Sequence, residues 1–236
     1  MLARAGIASR RSAEALITAG RVRVDGRVAV LGQRVTADAD VRVDGRPLTL
    51  RSAHRTFMLH KPAGVITSAA DERGRATVMG LVPRVPGLHP VGRLDLDSEG
   101  LLLLTTDGAL TLRMTHPRYG HPKTYRVWCS TGTLGAAALA LLRGGVVLDD
   151  GPARGELVRA APGGAIIVLR EGRKRQVRRM FAAVGAQVER LLRTHVGRLP
   201  LGTLAARAWR ELGAADLELL GYTPDGAPEE RREGTR

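Results

Sequence analysis

Residues 91–108 read VGRLDLDSEGLLLLTTDG, and the way this stretch sets charge against apolar residues decides how the rest of the chain is arranged. Asp95 stands two residues after Arg93 and shortly before four consecutive leucines, Leu101 to Leu104, which must be buried. A carboxylate fixed at the edge of a core strand is held still, as a catalytic group needs to be. The same residues allow a plainer reading, in which GRLD is a turn, Asp97 or Ser98 caps it, and the leucines are ordinary core.

The composition narrows the partners. The chain has 236 residues, 44% of them hydrophobic, enough for one large domain or for a small one joined to a medium one. Its 37 basic residues against 23 acids leave a net charge of +14, which argues for a polyanion, with nucleic acid the obvious candidate. Three of the 37 are lysines, a skew that genomic base composition alone can produce. No basic amphipathic helix, apolar leader or membrane-length span is present, so a soluble, cytoplasmic protein with no membrane partner is expected, and a monomer. The single cysteine, Cys129, excludes an internal disulfide and a cysteine-clustered metal site. The six histidines are scattered, and no glycine-rich nucleotide loop occurs, so neither a metal nor a cofactor is expected.

Near the N-terminus, Ser9 reads as an N-cap, and Ala13, Leu16 and Ile17 share a helical face before Gly20 ends the helix. In RVRVDGRVAV, the alternation predicts Val22, Val24, Val28 and Val30 on one side and Arg21, Arg23 and Arg27 on the other. Asp25-Gly26 is a two-residue hairpin signal, repeated at Asp44-Gly45. Together with Arg10 and Arg11 this makes a small module with a basic face, and residues 1–55 carry eleven arginines against five acids. A solvated face would also be charged, but that excess is more than solubility requires.

Residues 51–55 read as a linker. Phe57 to Leu59 reads as a strand running into the turn HKPAG, where Lys61 meets a phosphate or is simply solvated. KTYRVWCS is a strand with Tyr125 on its more apolar face, an ordinary core position for a tyrosine. Helices are predicted at about 109–116 and 133–142, and strands near 146–148, 156–160, 165–169 and 187–192. In GRKRQVRRMFAAVG, Val177, Met180, Phe181 and Val184 form a helical stripe with Arg175, Arg178 and Arg179 on the remaining surface. The catalytic unit is expected over 56–221, and the polar tail 222–236 is expected to be disordered.

Four strings carry a resemblance: KPAGVITS (Lys61 to Ser68), GRLD with SEGLLLLT and DG, KTYRV (Lys123 to Val127) and EGRKRQVRRM (Glu171 to Met180). In this order they resemble the signatures of the RsuA/RluB-type pseudouridine synthases. LARAGIASRRSAEALITAGRVRVDG resembles the S-four type (alpha-L) RNA-binding domain, which would occupy residues 1–50. The resemblance implies an α+β chain: a pseudouridine synthase fold, mostly antiparallel mixed sheet with flanking helices, plus a small N-terminal α/β domain. It implies isomerisation of uridine to pseudouridine in ribosomal RNA, leaning to the large-subunit (23S) branch over the small-subunit (16S) one. A non-catalytic RNA-binding protein of ribosome assembly is the competing reading. By the same resemblance Asp95 acts at the anomeric carbon, as nucleophile or as base, and Arg178 keeps it ionised. Tyr125 packs on the target base, and Arg93 enters the duplex where the nucleotide is flipped out. Lys61, Arg175 and the first domain's Arg10, Arg11, Arg21 and Arg23 would hold the RNA. The isomerisation oxidises nothing and donates no group, so it demands no cofactor.

Overall fold

The computed structural model describes residues 1, 2, 5, 7, 10–36, 38–48, 54–71 and 73–223, and of residues 10 and 11 the backbone alone. The expected N-cap Ser9, the side chains of Arg10 and Arg11, most of the 51–55 linker and the tail from 224 lie outside the described residues.

In the first domain, α1 (Arg10–Thr18) packs on a four-stranded sheet ordered β2 (Arg27–Val28), β1 (Val22–Val24), β3 (Val41–Val43), β4 (Arg46–Pro47). Both Asp-Gly turns have positive φ at each residue (Asp25 49°, Gly26 77°; Asp44 50°, Gly45 77°), the backbone that a tight right-twisted hairpin demands. Val22 and Val24 are buried with Ala13, Ala29 and Val41, but Val28 is 51% exposed and Val30 64%. The expected four-valine face is therefore wrong. A two-residue turn pairs Arg23 with Val28 and Val24 with Arg27, and paired residues share a face, so the parity reverses across the hairpin. Arg27 accordingly leaves the face that carries Arg23.

The second unit is built on a nine-stranded mixed sheet. Its main path runs β11 (Leu157–Ala161), β12 (Gly164–Leu169), β8 (Lys123–Cys129), β13 (Val188–Val196), β7 (Glu99–Thr105), β5 (Thr56–Lys61), β15 (Trp209–Glu211); β6 (His89–Val91) joins β7, and β14 (Leu199–Pro200) joins β13. Because β7 is central, its leucines go both ways. Leu102 and Leu104 enter the core beneath α3 (Ala136–Gly144) and α4 (Gln176–Ala183), while Leu101 and Leu103 enter a second core with α2 (Gly108–Thr115) and α5 (Ala214–Leu219). A strand covered on both faces reads as a continuous apolar run, which is why the sequence shows no alternation here. The hairpin β9 (Val146–Leu148) and β10 (Gly151–Ala153) stands apart from the sheet, and sequence reading found only its first strand.

Two boundaries shift. Tyr222 is buried in the second core and its hydroxyl bonds Asp107, so it closes the domain where a disordered tail was expected to begin. Arg55 pairs bidentately with Glu211 (2.7 and 2.6 Å), so it belongs to the second unit and not to the linker.

The feature that positions the site is the seam between β7 and β13, the parallel pair of an otherwise antiparallel sheet, with Leu192 opposite Glu99 and Arg193 opposite Gly100. Gly100 has φ of 109°, and a Cβ placed there would lie 2.3 Å from the Arg193 carbonyl oxygen, so only glycine lets the two backbones meet. Lys61 pairs with Gly100, Arg193 with Tyr125, and Tyr125 with Ile167. These residues form one row across the sheet, on the face of the α4 core.

Candidate active site

The loop carrying Asp95 crosses this row and is pinned from below. Thr67 Oγ1 donates to the Leu94 carbonyl (2.8 Å), Gly64 N–H to that of Leu96 (2.8 Å), and Ser98 N–H turns back to that of Asp95 (3.1 Å). Lys61 Nζ donates to the carbonyls of Ser98 (2.8 Å), Pro62 (3.0 Å) and Leu96 (3.4 Å). The expected phosphate contact for Lys61 is thus corrected: its side chain is fully buried and acts as the floor of the Asp95 loop. Burial pushes the ammonium down to about 8, with Asp97, Asp95 and Glu99 opposing the shift and Arg193 adding to it. Asp95 is half-buried, and its carboxylate has no hydrogen bond or ion pair among the described residues.

The expected pairing of Arg178 with Asp95 is also corrected. Arg178 comes from the first turn of α4, and its guanidinium meets Asp97 instead: Nε lies 3.2 Å from the carboxylate, and one Nη donates to the Asp97 carbonyl (2.9 Å). Its other Nη donates to the Val188 carbonyl (2.8 Å), tying helix, loop and β13 together. Arg175, left-handed at φ 51° just before α4, grips the same Asp97 carboxylate through two 3.0 Å bonds. Burial alone would raise Asp97, but the Arg175 hydrogen bond and the charges of both arginines outweigh it and hold the carboxyl below its ordinary value. Arg173 and Arg179 in turn fasten the β9–β10 tip through Asp149 and Asp150. Of the predicted catalytic residues the fold therefore brings Asp95 and Arg178 to one loop, with Asp97 as the acid that Arg178 meets.

Tyr125 lies on the same face, 8% exposed, in a core cluster that includes Leu94, the residue before Asp95. Sequence reading missed two of its neighbours. Arg193, 4% exposed, is opposite Tyr125, and Lys123 precedes it by two residues on the same face of β8. Lys123 is lowered to about 8, by burial first and then by the charge of Arg193. The signal for Lys123, as for Lys61, is scarcity: in a chain where arginine supplies nearly every cation, these are two of only three lysines. Arg193 carried no signal, because it sits in an arginine-rich segment.

Arg93 is exposed and unpaired among the described residues, so the surface salt bridge to Asp97 or Glu99 that would make it ordinary does not form. In the first domain Arg21 is held bidentately by Asp44 (2.8 and 2.6 Å), and Arg23 donates to the Gly26 carbonyl (2.8 Å). Both remain exposed, but neither is an unengaged cation.

Comparison with known proteins decides what this geometry belongs to. A family profile described as RNA pseudouridylate synthase matches residues 55–183. An uncharacterized RNA pseudouridine synthase of Mycobacterium tuberculosis is 46% identical over 93% of this chain and 91% of its own. The chain belongs to the RNA pseudouridylate synthase family. It is also 40% identical, over 97% of this chain and 83% of the other, to ribosomal large subunit pseudouridine synthase B of Escherichia coli strain K12. A crystal structure of a pseudouridylate synthase superposes with a TM-score of 0.65 at 28% identity, covering 93% of this chain and 96% of that one. Residues 1–41 match the S4 domain, so this pseudouridine synthase carries the RNA-binding module at its N-terminus. The site thus gathers a carboxylate on a pinned loop, a tyrosine in the core cluster that includes the preceding Leu94, and several buried or half-buried cations. No described helix is long and apolar enough to cross a membrane.

Proposed function

We propose that this protein isomerises a specific uridine of large-subunit ribosomal RNA in the cytoplasm, with Asp95 acting at the ribose as nucleophile or as base. The observation that carries the assignment is a partnerless carboxylate on a loop pinned by Lys61, Thr67 and Gly64. A group free of partners keeps its lone pairs for the sugar, and a pinned one stays at the reacting atom. Tyr125 packs on the target base, Arg178 fixes the loop through Asp97, and Arg93 occupies the gap left by the extruded nucleotide. The large-subunit substrate is supported by the Escherichia coli relative whose name specifies it.

The test is tritium release from ribosomal RNA labelled at uridine C5. Asp95→Asn deletes charge but keeps shape, so release should fall by more than a thousandfold while RNA affinity stays near wild type. Turnover within tenfold of wild type would move the chemistry to another residue. Mapping pseudouridine in large- and small-subunit RNA from cells with and without the protein identifies the substrate; a site lost only from the small subunit would refute the large-subunit assignment.

A further inference from the structure

Arg193 is the most deeply buried arginine in the α4-side site, and its surroundings are unlike those of the others. Arg173, Arg178 and Arg179 each have side chains 12–25% exposed and each meets a carboxylate. Arg193 is 4% exposed, its Nε donates to the Leu101 carbonyl (2.7 Å), and among the described residues no carboxylate lies within ion-pairing distance. Two further cations lie near it. Lys61 lies along the same row, and Lys123 on the same face of β8; both feel its charge. Burying a cation without a counter-charge costs several kcal/mol, so a fold that does this beside its reacting groups is arranged for negative charge that arrives later.

That charge has two sources in an RNA substrate. Phosphates lie on the outside of the strand and are served by exposed cations. Arg193 instead stands opposite Tyr125 on the neighbouring strand, where paired side chains are about 5 Å apart at Cβ. If Tyr125 packs on the target base, as proposed above, then Arg193 faces that base and not the backbone.

The reaction itself generates an anion there. When the bond from C1′ to N1 breaks, its electron pair leaves with the uracil, and the negative charge spreads over N1, O2 and O4. Asp95 meanwhile engages the sugar. C5 then bonds to C1′, the C5 proton is lost, N1 gains a proton, and no atom or electron is gained or lost overall. We propose that Arg193 is a further catalytic residue, whose Nη–H groups donate to a uracil carbonyl and stabilise the detached uracil anion. A preorganised donor aimed at developing charge in a water-poor site contributes much more than the same donor in water.

The experiment compares Arg193→Met and Arg193→Lys in the full chain, in single turnover on a ribosomal RNA fragment, with a thermal melt of each variant. Arg193→Met should lose about a hundredfold or more in the rate at saturating RNA, with affinity changed by less than about threefold. Arg193→Lys, which keeps the charge, should recover at least tenfold of that loss. A fragment with 5-fluorouridine at the target position supplies a readout that a merely structural role would not move. Fluorouracil is the more stable anion, so its detachment, followed as loss of the N1-linked nucleoside in digests, should be slowed at least tenfold less by either variant. Equal slowing of both substrates, or an effect confined to the half-saturating RNA concentration, overturns the proposal and makes Arg193 a structural or phosphate-binding residue. Should Arg193→Met fail to fold, the substrate comparison in Arg193→Lys decides alone. If Asp95→Asn keeps full turnover, the site reading has failed; if Asp95→Asn is dead and Arg193→Met turns over normally, only the Arg193 assignment has.

Discussion

Replacing Lys61 with methionine probes the floor of the active-site loop. The ammonium donates to three carbonyls, two of them at 3.0 Å or less and one at 3.4 Å. The Leu96 carbonyl keeps its Gly64 donor, and each of the other two left without one costs about 1–3 kcal/mol, which sets a gross loss of about 2–6 kcal/mol. Burying the charge opposes this, as the drop to about 8 records, so the net loss at neutral pH is smaller, about 1–3 kcal/mol. In a domain of this size that lowers Tm by about 2–10 °C. The pH dependence gives the sharper test. The folded-state value of about 8 lies below the ordinary 10.5 of an unfolded lysine. Between those two the unfolded chain binds more protons than the native one, so Lys61 contributes increasing stability as pH rises from about 8 to 10.5. Urea unfolding of wild type and Lys61→Met at pH 7 and pH 9.5 should therefore show a difference that grows with pH. Lys123 titrates in the same range but is common to both proteins, and cancels. A difference that stays flat or shrinks would refute the placement of the ammonium beneath the loop.

Gly100→Ala forces a Cβ to within 2.3 Å of the Arg193 carbonyl at φ 109°, so thermal melts should show a loss of about 2–5 kcal/mol, and a change under 1 kcal/mol would contradict the parallel seam. Asp97→Asn removes the acid shared by Arg175 and Arg178; the Arg175 pair is exposed on both sides and contributes under about 1 kcal/mol. Its effect should fall on the single-turnover rate, about tenfold through misplacement of the loop, and an unchanged rate would make the contact dispensable. Changing Arg10, Arg11, Arg21 and Arg23 together to alanine should raise the half-saturating RNA concentration and flatten the log-log salt slope by about 0.7–0.9 per lost phosphate contact, while turnover at saturation persists. Identical binding curves at several salt concentrations would show that the S4 module does not hold this RNA.

The strands and helices were legible wherever their signals are local. The Asp-Gly turns, the buried leucines, the Tyr125 strand and the apolar stripe of α4 all follow from residue type and spacing. What failed was relational. The valine face of the first hairpin was misread because alternation was carried through a turn that reverses it. Lys61 was placed at the surface because a lysine after an apolar strand gives no sign of the carbonyls that converge on it from 35 and 37 residues later. Arg193 could not be singled out, since its meaning depends on the missing acid and on what lies opposite, Tyr125 on β8 and Gly100 on β7, which come from segments 68 and 93 residues away.

The surroundings of three neighbouring acids support Asp95 as the carboxylate proposed to react. Asp95, Asp97 and Glu99 recur at every second residue, and from the sequence any of them has the chemistry of a general base or a nucleophile. The fold treats them differently. Asp97 is gripped by Arg175 and Arg178 from α4, and Glu99, at the start of β7, is held by Arg190 through bonds of 3.1 and 3.0 Å. A carboxylate in a bidentate pair has its lone pairs directed at the guanidinium, and must break that pair before it can approach a sugar carbon. Asp95 has no such pair to break. Lys61 beneath the loop and Arg175 both feel its field at longer range. Neither cation occupies its oxygens, so the loop delivers a carboxylate that is held still and free to bond.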